Sequence, residues 1–264
     1  MDELSSRGSF VLGITSGKGG VGKTCIALNL AIQLARYDTK VLLIDGDLGL
    51  ANLSILLEVN PENTLEDVIE GRCEIFEAMV GGPEGVIVVP SASGTGDRHI
   101  ISLKKQEGFK RELAKIGSGF DLVLIDTGTG IYSNVTGLLH SVDEILVITT
   151  PEPTAIADAY ALIKLLTNIE GSPDRISNGR FSLLINMVES PQQAQDLKAK
   201  FDQMAERFLR IKVRDRGHVL TDRRVVESIL RQVPFVVGFP ECKASKCVAD
   251  LARRIIHREG RNGH

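Results

Sequence analysis

The sequence predicts an α/β protein: a mostly parallel β-sheet flanked by helices on both faces. Three observations predict it. Short apolar segments without polar alternation recur along the chain, the pattern of strands buried on both faces. Stretches with helical periodicity separate them, as the crossovers between parallel strands require. The first apolar segment also runs through a glycine-rich loop into a helix.

The elements follow in order. Phe10 to Thr15 reads as the first strand. Lys23 to Arg36 reads as a helix, with Ala27, Leu28, Leu30, Ala31 and Leu34 at helical spacing. Lys40 to Asp45 is an apolar strand ending in acid. Val86 to Pro90, Asp121 to Asp126, Glu144 to Thr149, Phe181 to Asn186 and roughly Ile211 to Val219 read the same way. Helices are predicted between them at about 102–116, 131–140, 154–169, 190–208, 222–231 and 243–258. No repeat, low-complexity tract or long linker interrupts the pattern. It predicts one domain over 1–264, with short flexible tails at about 1–8 and 259–264.

Composition narrows the class. The 264 residues carry a formal net charge of −3, with 43% hydrophobic and 25% charged side chains. These values exclude a disordered or collagen-like chain. No apolar run approaches the roughly 18 residues of a spanning helix. Met1, Asp2 and Glu3 do not open a secretory signal. A cytoplasmic protein is expected, with Cys25, Cys73, Cys242 and Cys247 as reduced thiols. No C-x-x-C pair occurs, so Cys242 and Cys247 read as structural rather than as half of a metal site. Charge is uneven: residues 1–195 hold 15 basic and 25 acidic side chains, residues 196–264 hold 16 and 9. The basic C-terminal third suits either an acidic partner or a solvated helix face.

The most specific motif is Gly17-Lys18-Gly19-Gly20-Val21-Gly22-Lys23-Thr24, between strand and helix. It fits G-x-x-x-x-G-K-[ST], a loop that cradles phosphates. Glycines let backbone N–H groups turn inward, and the helix that continues through Cys25 adds its positive end. Lys23 is positioned for the β- and γ-phosphates and Thr24 for Mg²⁺. Lys18 is a second lysine five positions earlier. It reads either as a solvated loop residue or as a charge directed outward, toward another subunit.

Two strand ends add carboxylates. Asp45 and Asp47 follow the second strand and Asp126 ends a later one, where ligands bind in α/β sheets. The stretch Thr127-Gly128-Thr129-Gly130 suits a close backbone approach to a terminal phosphate.

With the two lysines, the loop resembles the deviant Walker A motif of the MinD/ParA branch of P-loop ATPases, of SIMIBI type. The resemblance continues along nearly the whole chain. It implies ATP/ADP and Mg²⁺ as cofactors and an ATP-dependent homodimer, in which Lys18 crosses to the other subunit's γ-phosphate. It implies that Asp45 holds Mg²⁺ through water, Asp47 positions the attacking water and Asp126 supports the metal as the Walker B aspartate. Asn186 would contact adenine, and Leu220, Thr221 and Asp222 would form the loop over the base. Glu152 and Asp158 would lie near the dimer interface, or on a helix that is plain scaffold.

Within this branch, Asp47 to Leu53, Thr149 to Tyr160, Asp126 to Gly130 and Asn186 to Val188 resemble the FlhG/FleN group of flagellar number regulators. Pro234-Phe235 and Lys243 to Lys246 fit that group as well. The implied partners are the flagellar switch complex, the FlhF GTPase or a flagellar transcription activator. The first strand is reached by Phe10 without a D-Q-A-type motif, which argues against FlhF activation. The last predicted helix pairs an apolar stripe (Val248, Leu251, Ala252, Ile255, Ile256) with Arg253, Arg254, His257 and Arg258. It reads as a packed closing helix, with peripheral membrane binding as the alternative. The rival readings are a DNA-binding ParA and a membrane-cycling MinD. The cysteine spacing opposes an iron–sulfur reductase, and Lys18 opposes a small-molecule kinase.

Overall fold

A computed structural model describes residues 8–48, 52–57, 59–92, 103–130, 133–170 and 180–261. Residues 1–7 and 262–264 of the predicted tails, and Gly49 to Ala51 of the FlhG/FleN-like stretch, lie outside these residues.

The strands are β1 (Phe10–Ser16), β2 (Val41–Gly46), β3 (Val80–Gly81), β4 (Ile87–Val89), β5 (Leu122–Thr129), β6 (Glu144–Thr149), β7 (Phe181–Val188) and β8 (Arg214–Leu220). The helices are α1 (Lys23–Ala35), α2 (Asn52–Leu57), α3 (Leu65–Glu70), α4 (Leu103–Ile116), α5 (Ser133–Leu139), α6 (Pro153–Glu170), α7 (Pro191–Leu209), α8 (Arg223–Leu230), α9 (Phe235–Gly238) and α10 (Lys243–Arg261). They build one sheet in the order β3-β4-β2-β5-β1-β6-β7-β8. Its pairs are parallel except β3–β4, which is antiparallel.

Period-two geometry explains the two cores. On β2, Leu42 and Ile44 face one layer and Leu43 the other; on β5, Val123 and Ile125 oppose Leu122 and Leu124. One layer is closed by Val68, Phe109, Leu138, Leu162 and Phe201 from α3 to α7. The other is closed by Leu30 of α1, Phe235 of α9 and Val248 and Leu251 of α10. The apolar stripe of α10 is therefore buried against the sheet, as a closing helix requires. Among the described residues, no helix is long and apolar enough to cross a membrane.

Boundaries depart from the sequence reading where pairing, not hydropathy, decides. Ile211 and Val213 are buried, but β8 begins only at Arg214, opposite Ser182. β5 runs on to Thr129, carrying three more residues past Asp126 toward the site. The two-residue β3 and the short α2, α3 and α9 lie below the length at which periodicity is readable.

β1 lies between β5 and β6, with β2 beyond β5. The connections after β1 thus lead to opposite sides, and the crevice beyond the strands' carboxyl ends is where such sheets bind ligands.

Candidate functional site

The site starts with the turn between β1 and α1. A Cβ on Gly17 would run into the Asp158 carbonyl of α6, so only glycine fits there. Gly22 caps α1 in the left-handed region at φ 86°, and a Cβ there would lie 2.6 Å from the Asn186 amide nitrogen. The loop is fixed from several directions. Ser16 Oγ donates to the Lys18 carbonyl at 3.0 Å, Gly130 N–H to the Ser16 carbonyl at 2.9 Å, and Asn186 Nδ2 to the Val21 carbonyl at 2.8 Å. Among the described residues no side chain caps the start of α1, and its first N–H groups face an open cleft of about 460 Å³. Ser16, Gly19 to Cys25, Asp47 and Thr129 line that cleft, with Ile55, Leu56 and Ile229 at its lip.

Lys23 is buried, its Nζ 2.8 Å from Asp126 Oδ1 and 3.5 Å from Thr24 Oγ1. Asp45 and Asp126 are register partners on β2 and β5, both fully buried. Burial, then the neighbouring Asp126 charge, push the Asp45 carboxyl up to about 7, against N–H groups of Leu53 and Asp47 that donate to it at 3.2 Å each. Burial raises the Asp126 carboxyl as well, opposed by Lys23. Asp126 Oδ2 is buried with no hydrogen-bond partner among the described residues. The Lys23 ammonium thus pairs with Asp126, while Asp45 leans on backbone N–H groups beside a like charge. Such a deficit suits a divalent cation, with the Thr24 hydroxyl at hand. Asp47 follows Asp45 onto the cleft wall, its Oδ1 against the Cα of Gly128, where a Cβ would approach to 3.0 Å. The Cys25 thiol is pushed up to about 11 by burial, which leaves it protonated and inert at the cleft base.

Lys18 takes a different course. Its Nζ pairs with the Glu152 carboxylate and lies 3.1 Å from Thr154 Oγ1, at the start of α6. The pair is exposed, the Lys18 side chain by 38% and that of Glu152 by 63%.

A family profile described as an AAA domain matches residues 10–178. The antiactivator FleN of Pseudomonas aeruginosa is 39% identical over 245 residues, spanning 93% of this chain and 85% of FleN. The chain belongs to the MinD/ParA-type P-loop ATPases. The flagellum site-determining protein YlxH of Helicobacter pylori is 33% identical over 183 residues, 69% of this chain and 59% of YlxH. Among solved structures, the septum site-determining protein MinD of Pyrococcus horikoshii, complexed with Mg-ADP, superposes with a TM-score of 0.73 at 25% identity, covering 94% of this chain and 96% of that one.

In this MinD/ParA-type ATPase the loop, Lys23, Thr24, Asp45, Asp47 and Asp126 converge at the carboxyl edge of β1, β2 and β5. The residues expected near the base make contacts within the chain. Asn186 is buried, with its amide on the Val21 carbonyl and its Oδ1 accepting from Met187 N–H at 2.9 Å. These contacts give Asn186 a part in supporting the loop. Leu220 ends β8, Thr221 N–H donates to the Val188 carbonyl at 2.8 Å, and Asp222 caps two helices, accepting from Arg224 N–H at 2.9 Å and Lys243 N–H at 2.8 Å. These three form a structural junction. Sequence reasoning did not link Lys18 to Glu152 and Thr154, which lie more than 130 positions away, nor Ile55 and Ile229 to the cleft lip. No motif marks either pairing.

Proposed function

We propose that this ATPase is a nucleotide-driven switch that dimerises around ATP and governs flagellar number or placement. The likeness to FleN over 93% of the chain carries that reading, and the flagellum site-determining protein YlxH supports it. The chemistry is hydrolysis of ATP to ADP and phosphate. The loop N–H groups and the start of α1 hold the triphosphate, and Lys23 neutralises β- and γ-oxygens. Thr24, Asp45 and Asp126 would hold Mg²⁺, which when bound neutralises phosphate charge. Asp47 orients the water for in-line attack, and Lys18 reaches the γ-phosphate of a second copy. Since ATP grips both copies and ADP does not, the nucleotide shifts the monomer–dimer equilibrium by its differential affinity. A flagellar switch complex, the FlhF GTPase or a flagellar transcription activator would read the dimer at the cytoplasmic face of the membrane.

The experiment is Asp47→Ala. ATP affinity is expected to hold, turnover to fall by about 10²-fold or more, and an ATP dimer to accumulate in light scattering. Rapid turnover, or a monomer with ATP bound, overturns the assignment. Deleting the gene in the source bacterium and counting flagella tests the cellular role. Normal flagella with misplaced septa would instead favour division-site placement, the reading that the likeness to P. horikoshii MinD supports.

A further inference from the structure

We propose that α8 and α2 form a docking surface for an amphipathic helix of a partner protein, with acidic residues flanking its apolar stripe. A helix at the surface of a globular protein normally turns its apolar side inward. α8 does the reverse. Val226, Ile229 and Leu230, with Val233 just beyond the helix, fall at i, i+3, i+4 and i+7, one face of a helix. All four are exposed, Leu230 by 81% and Val226 by 61%. The inward side offers only Val225, partly buried, and Ser228. Ile55 of α2, 60% exposed, extends the same apolar surface. Gln232 Nε2 donates to the Ile55 carbonyl at 3.1 Å and clasps the two elements together. Between them lies a notch of about 20 Å³, lined by Leu28, Leu56, Ile229 and Val233. That is room for one methyl-sized knob, the size class of a single water site. An apolar row at helical spacing beside a small apolar hole is the footprint of helix-in-groove recognition.

Charge selects the occupant. Residues 223–232 carry Arg223, Arg224 and Arg231 against Glu227 alone, a local balance of +2. Glu227 pairs with both Arg224 and Arg231. The guanidinium groups of Arg224 and Arg231 stand over the Phe239 ring, at 4.9 and 5.7 Å from its centre, which holds them beside the apolar row. A two-fold contact centred on this patch would set arginine against arginine. Acidic flanks on a partner helix complement it. The notch also suits a side chain better than a lipid surface.

The docking surface also meets the nucleotide cleft. Ile55 and Ile229 belong to both, and the Leu53 N–H of α2 donates to Asp45 Oδ2. A docked helix would thus touch the element that reports on the phosphate site; this coupling alone rests on the nucleotide reading above.

The test uses the full chain and a fluorescent, designed amphipathic peptide with leucines at i, i+3, i+4 and i+7 and glutamate flanks, beside a lysine-flanked twin. The glutamate peptide is expected to bind in the micromolar range and at least about tenfold more tightly than its twin. Leu230→Ser, which removes an exposed side chain and should leave the melting temperature unchanged, is expected to weaken it by about tenfold. Arg231→Glu should shift preference toward the lysine peptide. Equal binding of both peptides, no binding of either, or binding indifferent to Leu230→Ser overturns the proposal. So does self-association, with or without ATP, that Leu230→Ser abolishes, which would give the face to a second copy. Leu230-dependent sedimentation with phosphatidylglycerol vesicles, without peptide binding, would give it to lipid. Peptide binding without ATP binding would sink the nucleotide reading and leave the docking surface standing.

Discussion

Lys18 and Lys23 sit five positions apart in one loop and live in different electrostatic settings. Lys23 is inside, paired at 2.8 Å with a fully buried Asp126. Lys18 is at the rim, paired with a Glu152 that is mostly in solvent. The attraction between unit charges scales inversely with the local dielectric, so the inner pair is strong and costly to break. The outer pair is screened by water and loses side-chain entropy on forming. A strong pair makes a fixed floor for the site; a weak one can be exchanged for a better partner. The same residue type thus serves as framework at one position and as a movable charge at the other.

The comparison breaks most visibly at Lys23. Lys23→Ala leaves Asp126 buried without its cation, and loss of one partner of a buried pair costs about 3–5 kcal/mol. The lower end is expected, because burial already raises the Asp126 carboxyl and eases its protonation. Denaturant unfolding without nucleotide should show that loss, and ATP binding should vanish. An unchanged midpoint would mean that the inner pair is no stronger than the outer one. Lys18→Ala is expected to leave stability within roughly 0.5 kcal/mol and to preserve ATP binding, yet to lose ATP-dependent dimerisation and hydrolysis. Dimer and turnover equal to the parent protein would remove the role across subunits.

This contrast was half legible in the sequence. The G-x-x-x-x-G-K-[ST] spacing, the strand before it and the helix after it identify Lys23 and Thr24 because phosphate cradling is a local, backbone-driven geometry. Asp45 and Asp126 are equally readable, each ending an apolar run at a strand's carboxyl end. Their pairing was not. Asp45 meets Asp126 only through the β2–β5 register, which no local pattern encodes. Likewise, nothing near Lys18 announces Glu152. Asn186 shows the limit from the other side: a polar residue at a strand end matches a motif position, while tertiary packing turns its amide onto the loop carbonyl. The fold was more legible than the site. Hydropathy marks every long strand, and only elements of two to six residues escaped it.

Asp222, partly buried like Lys18 but held by backbone N–H groups, sharpens the comparison. Burial would raise its carboxyl, but N–H donors at the starts of α8 and α10 outweigh this and hold it below the usual carboxylate range. A group depressed in the folded state stabilises fully above its unfolded value, near 3.9, and loses that contribution as pH falls through the folded one. Asp222→Ala is therefore expected to cost about 1–2 kcal/mol at pH 7, the scale of a lost helix cap. The gap should narrow below pH ~4. Urea unfolding of both proteins at neutral and acid pH measures it. A gap equally wide in acid would assign the loss to packing rather than to charge.

The smallest expected effect belongs to Glu152, and it separates framework from movable charge most finely. Glu152 contributes only a solvent-screened ion pair, so Glu152→Ala should change stability by a few tenths of a kcal/mol at most. If Lys18 works across subunits, its tie to Glu152 and Thr154 competes with that task within one protomer. Among the described residues, removing the carboxylate leaves Lys18 the Thr154 hydroxyl, a neutral and weaker acceptor. The ATP concentration that half-saturates dimerisation should then fall by about two- to fivefold, the equivalent of an exposed pair worth up to 1 kcal/mol. Raising ionic strength should shrink the difference between parent and variant, because salt screens the exposed pair in the parent as well. A half-saturation point that rises instead would mean that Glu152 presents Lys18 to the second copy rather than restraining it. The exposed pair would then belong to the framework, like its buried counterpart.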